Sequence, residues 1–339
     1  MRQTLKLWCV LSTCLVGVIG CGSGGGGGNA TVDPSKPTVA FVSNNAFEFW
    51  VIARRGTEKA QKEFDVNVDF QMPPQGTAPE QRQIIEDLLT KGVKGIAVSP
   101  LDAANQGEFF DTVAEKIPLV AQDSDLPPGS KRLCYLGTNN YEAGKSAGKL
   151  LKEALPEGGK VVIYVGKLDV QNAIERRQGV VDELAGAKDV KGNYPLELGK
   201  YTLLDTMTDG GDSSVCKGLV EDTLTKYPDL AGMVGLWEYN PPAMLAAVKN
   251  AGKQGKVAIV GFDENEETLQ GIKDGNVYGT VVQQPFEFGY QSIRILAGLA
   301  KGDRSVIPEG GILYIPHKEV TKSNVEEFHA ELLKLKGKS

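Results

Sequence analysis

Short apolar runs recur along the chain, and each is followed by a stretch whose apolar residues fall at helical spacing. Residues 38–43 read as a buried strand and 48–64 as an amphipathic helix. Strands follow at 66–71, 95–99, 118–121 and 132–136, with helices at 79–91 and 104–116 between them. The rhythm then restarts. Strands are expected at 160–165, 201–204, 231–235 and 257–262, separated by helices at 170–184, 213–227 and 242–251. Continuous apolar strands alternating with helices are what a parallel sheet covered on both faces requires. Two such series predict an α/β protein with two doubly wound lobes. No sequence repeat relates them.

In open α/β sheets, ligands bind beyond the carboxyl ends of the strands. The residues that fall there include Pro100, Asp102, Asp125, Asn139 and Asn140, and the contacts expected among them and nearby are Asn44, Asn45, Phe49, Trp50, Asp123, Ser124, Trp237, Asn240, Asp263 and Gln283, with Arg176 near the start of a helix. Amides, carboxylates and a guanidinium can fix and bridge hydroxyl groups, and aromatic rings can lie against C–H faces. The set therefore suits a polyhydroxylated molecule. Phe, Trp and Tyr number only 11, 3 and 10 in 339 residues, so Phe47, Phe49 and Trp50 form a notable cluster. Each residue also has a plainer reading. Phe49 and Trp50 can pack a helix on its sheet, Asp123 and Asp263 can cap helices, and Arg176 can pair with Glu175 or Asp182 at the surface.

The first residues read as an address. Arg2 and Lys6 precede an apolar stretch at 7–19, too short to span a bilayer and suited to a signal peptide. Val18-Ile19-Gly20-Cys21 resembles a bacterial lipobox, which makes Cys21 the expected acylated mature N-terminus. The glycine run at 24–28 then reads as a flexible tether. A formal net charge of -6 argues against nucleic acid as a partner. Cys134 and Cys216 read as two core thiols or as one disulfide. Cysteine and histidine spacing suggests no metal site, and no cofactor is expected. Gly144-Lys145-Ser146-Ala147-Gly148 fits the G-x-S-x-G pattern, but the helix is expected to start before Ser146, near Tyr141, which is wrong for a nucleophile elbow.

From about Thr38 to Pro316 the chain resembles the ribose-binding-protein branch of the type I periplasmic binding proteins, a fold shared with LacI-type repressor cores. The resemblance rests on Phe49-Trp50 after the first strand, 92–100, 117–123 ending in Asp123, 136–144, Glu175-Arg176-Arg177-Gln178-Gly179, Val260-Gly261-Phe262-Asp263 and 280–285. It implies a binding protein and no enzyme, with Phe49 and Trp50 stacking on the ligand and Asp123, Asp263 and Gln283 holding hydroxyls. Two ligand arginines of the family fall on Ser124 and Ile174, which leaves Arg176 as the available substitute. The loop 236–242 is longer and more aromatic than its counterpart, so a sugar other than ribose is equally in view.

The implied organisation is a signal peptide at 1–20, a tether at 21–36, a first lobe at 37–138 plus 284–310, a second lobe at 139–283 plus 311–320, and a helical tail at 321–339. A three-strand hinge crosses near 138–139, 283–285 and 310–311. The expected protein is a monomeric lipoprotein of the cell envelope, anchored through Cys21. It captures a monosaccharide-like ligand between its lobes and delivers it to an ABC permease in the inner membrane. A sensor of the same fold and a secreted carbohydrate-active enzyme are the alternatives.

Overall fold

The computed structural model describes residues 33–337; the expected signal peptide, Cys21 and nearly all of the glycine tether lie outside them. The first sheet contains β1 (Thr38–Val42), β2 (Asn67–Gln71), β3 (Ile96–Val98), β4 (Leu119–Gln122), β5 (Cys134–Gly137) and β12 (Ile312–Tyr314), in the order β12-β5-β4-β3-β1-β2. Every pairing in it is parallel. The second contains β6 (Gly159–Val165), β7 (Leu196–Leu198), β8 (Tyr201–Thr208), β9 (Leu230–Gly235), β10 (Ala258–Phe262), β11 (Gly279–Val282) and β13 (Lys318–Thr321), in the order β13-β11-β10-β9-β6-β8-β7. Only its two edge strands, β7 and β13, run antiparallel to their neighbours.

The helices are α1 (Glu48–Glu63), α2 (Ala78–Lys91), α3 (Ala103–Ala114), α4 (Asn140–Ala154), α5 (Gln171–Ala185), α6 (Ser213–Lys226), α7 (Asn240–Asn250), α8 (Glu266–Lys273), α9 (Pro285–Ala300) and α10 (Val325–Leu335). Strand period two explains why the central strands, such as β1 and β6, are apolar on both faces. On β1, Val39 and Phe41 face one core while Ala40 and Val42 face another. On β6, Val162 and Tyr164 alternate with Val161, Ile163 and Val165 in the same way. Each sheet therefore separates two hydrophobic cores, and each lobe has three layers.

The chain passes between the lobes three times. It leaves β5 for α4, which packs on the second sheet, and leaves β11 for α9, which packs on the first. The third passage differs from the sequence expectation. Gly310 and Gly311 both have positive φ, but they only turn the chain into β12, which pairs with β5 of the first sheet. The crossing is at 315–317, before β13 joins the second sheet, so residues 311–314 belong with the first lobe.

Helices α4 and α5 touch through glycines. A Cβ on Gly144 would lie 2.1 Å from the Arg176 carbonyl oxygen, and one on Gly179 would lie 2.2 Å from that of Tyr141. This close crossing accounts for the G-x-S-x-G pattern. Ser146 sits inside α4, and its Oγ lies 2.9 Å from His317 Nε2 in the third crossing. Cys134 and Cys216 are both free, each buried in its own lobe.

Candidate functional site

The wall formed by the first lobe begins where β1 ends. Asn44 Nδ2 donates to Ser99 Oγ at 3.1 Å, and Ser99 Oγ donates to Asp123 Oδ2 at 2.9 Å. Asn44 Nδ2 and Ser124 Oγ each stand 3.5 Å from the same carboxylate oxygen. Loops after β1, β3 and β4 thus converge on one oxygen of Asp123 and leave Oδ1 uncommitted among the hydrogen bonds of the described residues. Asn45 fastens the β1–α1 loop, with Nδ2 donating to Asn44 Oδ1 at 2.7 Å and Oδ1 accepting from the Phe47 N–H at 2.9 Å.

The aromatic cluster divides in a way the sequence did not indicate. Trp50 is 2% exposed and lies in the core of the first lobe, its ring 5.9 Å from that of Phe41 and its Nε1 donating to Asn44 Oδ1 at 2.9 Å. That corrects its expected role as an open stacking platform: it braces Asn44 from behind. Phe49 is partly exposed and packs edge-on against Trp50 and Phe288. Phe47, not proposed as a contact, is the solvent-facing ring, at 69% exposed.

Asp123 and Asp263 occupy matched corners. Both follow the fourth strand of their doubly wound series, β4 and β10, and both have left-handed backbones, with φ of 62° and 64°. Asp is among the few residues that tolerate this region. The Asp123 N–H donates to the Leu136 carbonyl at 3.0 Å, while the Tyr135 hydroxyl donates to the Asp123 carbonyl at 2.9 Å. In the second lobe the Asp263 N–H donates to the Val281 carbonyl at 2.9 Å, and Thr280 Oγ1 donates to the Asp263 carbonyl, also at 2.9 Å. Neither carboxylate caps a helix: α8 is capped by Asn265, whose side chain accepts from the Glu267 N–H. The lobes repeat in geometry what they do not repeat in sequence.

The wall of the second lobe centres on Arg176, which is 2% exposed and so not the surface ion-pair partner that its plainer reading allowed. Its Nε donates to Asn140 Oδ1 and its Nη1 to the Leu236 carbonyl, both at 2.9 Å, and the guanidinium carbon lies 4.5 Å from the Phe262 ring centroid. Gln283 Nε2 donates to Asp263 Oδ1 at 3.0 Å, and Gln283 Oε1 accepts from Thr138 Oγ1 at 3.0 Å, which joins the first two crossings to the acid. Trp237 lies on the backbone of Gly166, and its buried Nε1 has no hydrogen-bond partner among the described residues.

Asn240 is a correction. It is fully buried, its Oδ1 accepting from the Trp237 N–H at 2.9 Å and its Nδ2 donating to Asp209 Oδ2 at 2.9 Å. With its amide committed, it shapes the loop that carries Trp237 and is not a ligand contact.

Burial pushes the Asp123 carboxyl up to about 6, although the Ser99 hydroxyl and the Arg176 charge pull it back, and the charge of Asp263 adds to the rise. Burial also raises Asp263, again opposed by Arg176 and by the Gln283 amide. One guanidinium therefore acts electrostatically on an acid from each lobe. Glu264 is held well above the usual carboxylate range by burial and by the neighbouring Asp263. Among the described residues, no group of three or more His, Cys, Asp or Glu side chains is placed to hold a metal ion.

Three contributors were not among the expected contacts, although Asn140 is one of the strand-end residues that the sequence marks. Ser99, Thr138 and Asn140 hold Asp123, Gln283 and Arg176 respectively. All three lie at or just beyond strand ends, the one signal that could have singled them out.

Residues 39–304 match a family model described as a periplasmic binding protein domain. A D-allose-binding periplasmic protein of Escherichia coli is 28% identical over 274 residues, covering 77% of this chain and 83% of its own length. A xylitol-binding protein of Mycolicibacterium smegmatis is 25% identical, covering 96% and 88%. Among solved structures, an ABC transporter solute-binding protein from Burkholderia graminis in complex with D-arabinose superposes with a TM-score of 0.76 at 27% identity, covering 86% of this chain and 98% of the other.

Proposed function

The chain belongs to the periplasmic binding protein family, and from that premise we propose that it is an exported lipoprotein that binds a monosaccharide or related polyol between its lobes and delivers it to an ABC permease. The observation that carries the reading is the pair of matched acids, Asp123 and Asp263, one from each lobe, with Arg176 acting on both. Carboxylates accept two hydroxyl hydrogen bonds each, and a buried fork of N–H donors complements them. Phe49, Ser124, Trp237 and Gln283 complete the candidate wall, with Asn44 and Asn45 behind Asp123. The role is binding and not catalysis.

The names of the relatives support a small sugar or sugar alcohol. Two departures argue for a ligand other than ribose: Ser124 and Ile174 stand where the ribose-binding branch carries arginines, and Ile174 is 45% exposed. Lipid attachment at Cys21 rests on the lipobox-like sequence and the glycine tether that follows. The lobes are taken as 37–138 with 284–314 and 139–283 with 318–320.

Thermal-shift screening against D-allose, D-ribose, D-arabinose, xylitol and a wider set of pentoses, hexoses and polyols tests the reading. A cognate ligand at a hundred times its Kd adds about 2.7 kcal/mol of stability, and titration calorimetry then gives one site per chain. No shift with any sugar or polyol overturns it. For the anchor, mass spectrometry of the mature N-terminus from membranes is expected to find an acylated Cys21, and Cys21→Ser to release the protein into the soluble fraction.

A further inference from the structure

Helix α10 lies beyond the residues matched by the family model, 39–304. It is seated on the second lobe. Val325 and Leu332 join that lobe's core, and Lys273 of α8 lies 3.0 Å from Glu326. The same apolar face, extended by Phe328 and Leu335, also reaches the first lobe. Ile52 of α1 is 2% exposed, yet it is buried in the cluster that contains Phe328, Leu332 and Leu335 and not in the core of its own lobe. A cavity of about 190 Å³ remains where α1, α9 and α10 meet, lined among others by Ile52, Phe286, Phe328 and Leu332.

The charges follow the same path. Lys336, just after α10, lies 3.2 Å from Glu48 at the start of α1, and its side chain is only 5% exposed. The same ammonium acts on Glu238 and Glu264 of the second lobe. Glu264 directly follows the cleft acid Asp263, and Glu238 directly follows Trp237. A nearly buried cation thus stands among carboxylates from both lobes. Buried charges are retained only where partners offset their desolvation, so withdrawing Glu48 would cost free energy.

We propose that α10 is a clamp between the lobes, in which Lys336 and the Ile52 contact hold the start of α1 against the second lobe and favour the closed arrangement. Opening the cleft moves Glu48 and Ile52 away from α10, exposes apolar surface and leaves Lys336 with second-lobe acids alone. The clamp therefore sets how much of the ligand-free protein is closed. Apparent affinity scales with that fraction.

The test is small-angle X-ray scattering on the ligand-free full chain and on Lys336→Met, Glu48→Gln and the double variant. Each single change is expected to increase the radius of gyration. The double variant should expand no further than the larger single one, because both break the same pair. Equal radii in all four proteins overturn the clamp. If Lys336→Met loses its far-ultraviolet circular dichroism, Glu48→Gln decides, since Glu48 is 56% exposed. With D-allose as probe, clamp variants should bind at least about fivefold more weakly. If no sugar binds the wild type, the scattering arm still decides the matter, so failure of the sugar reading is distinguishable from failure of the clamp.

Discussion

A single carboxyl carries two opposed demands at Asp123. Its folded value of about 6 lies above the ordinary 3.8. Between those values the native state binds more protons than the unfolded chain, so this group's contribution to stability falls as pH rises from about 4 to 6. Above that window the cost is on the order of 1–3 kcal/mol, allowing for partial exposure. Asp123→Asn keeps an acceptor for Ser99 and Asn44 and removes the charge. It is expected to raise the melting temperature at pH 7.5, leave it unchanged below pH 4, and weaken ligand binding by calorimetry. A variant no more stable at neutral pH contradicts the account. Trp50 gives the opposite pattern. Because it fills the core of the first lobe, Trp50→Ala should cost about 3–5 kcal/mol in denaturant unfolding, and any loss of affinity would come through Asn44.

At the level of elements, α4 and α5 are spaced by their glycines, and that spacing places Arg176. The backbone of Arg176 touches Gly144, while its side chain is held by Asn140 on the same partner helix. Gly144→Ala has no room for its methyl group and must push the helices apart, at about 1–3 kcal/mol. Affinity for the identified ligand should fall with it, whereas Gly218→Ala, inside α6 with open space around it, should leave affinity unchanged and add about 0.5–1 kcal/mol of stability. Equal stability and affinity in both variants would mean that the crossing does not position the guanidinium. The first lobe uses the same device, since a Cβ on Gly289 of α9 would lie 2.0 Å from the Ala53 carbonyl oxygen. As far as β10 the sequence disclosed the strands and helices well, because an apolar strand serving two cores has one pattern; it did not disclose α8, β11, α9, β12 and β13 beyond it. It disclosed Asp123 and Asp263 because polar residues after such strands stand out. It could not separate Phe47 from Trp50, since three aromatics near a helix start leave open which faces inward. Gly310-Gly311 misled because a glycine pair marks a tight turn as readily as a hinge. The edge strand β7 escaped because a three-residue strand carries no period to read.

The two lobes bring their cleft acids within electrostatic reach of one another. The first lobe contributes Asp123, and the second contributes Asp263, Arg176 and, behind them, Glu264 and Glu238. Asp123 feels both Arg176 and Asp263, so its environment depends on how closely the lobes approach. Separation would return the carboxyl to water and lower its proton affinity towards the ordinary value, because burial is the largest cause of the rise. Asp263 and Glu264 are shifted upward as well, but the groups that act on them belong to their own lobe, so the uptake on closure falls to Asp123. By linkage, lowering the pH must then favour the closed arrangement even without ligand. Scattering on the ligand-free protein is expected to show the radius of gyration shrinking between pH 7.5 and pH 5, with a smaller change in Asp123→Asn. Arg176 opposes the trend by stabilising the charged acids, yet burial outweighs it at both cleft carboxyls. A radius independent of pH in the wild type would mean that the acids are desolvated within their own lobes, and that closing the cleft adds nothing to their burial.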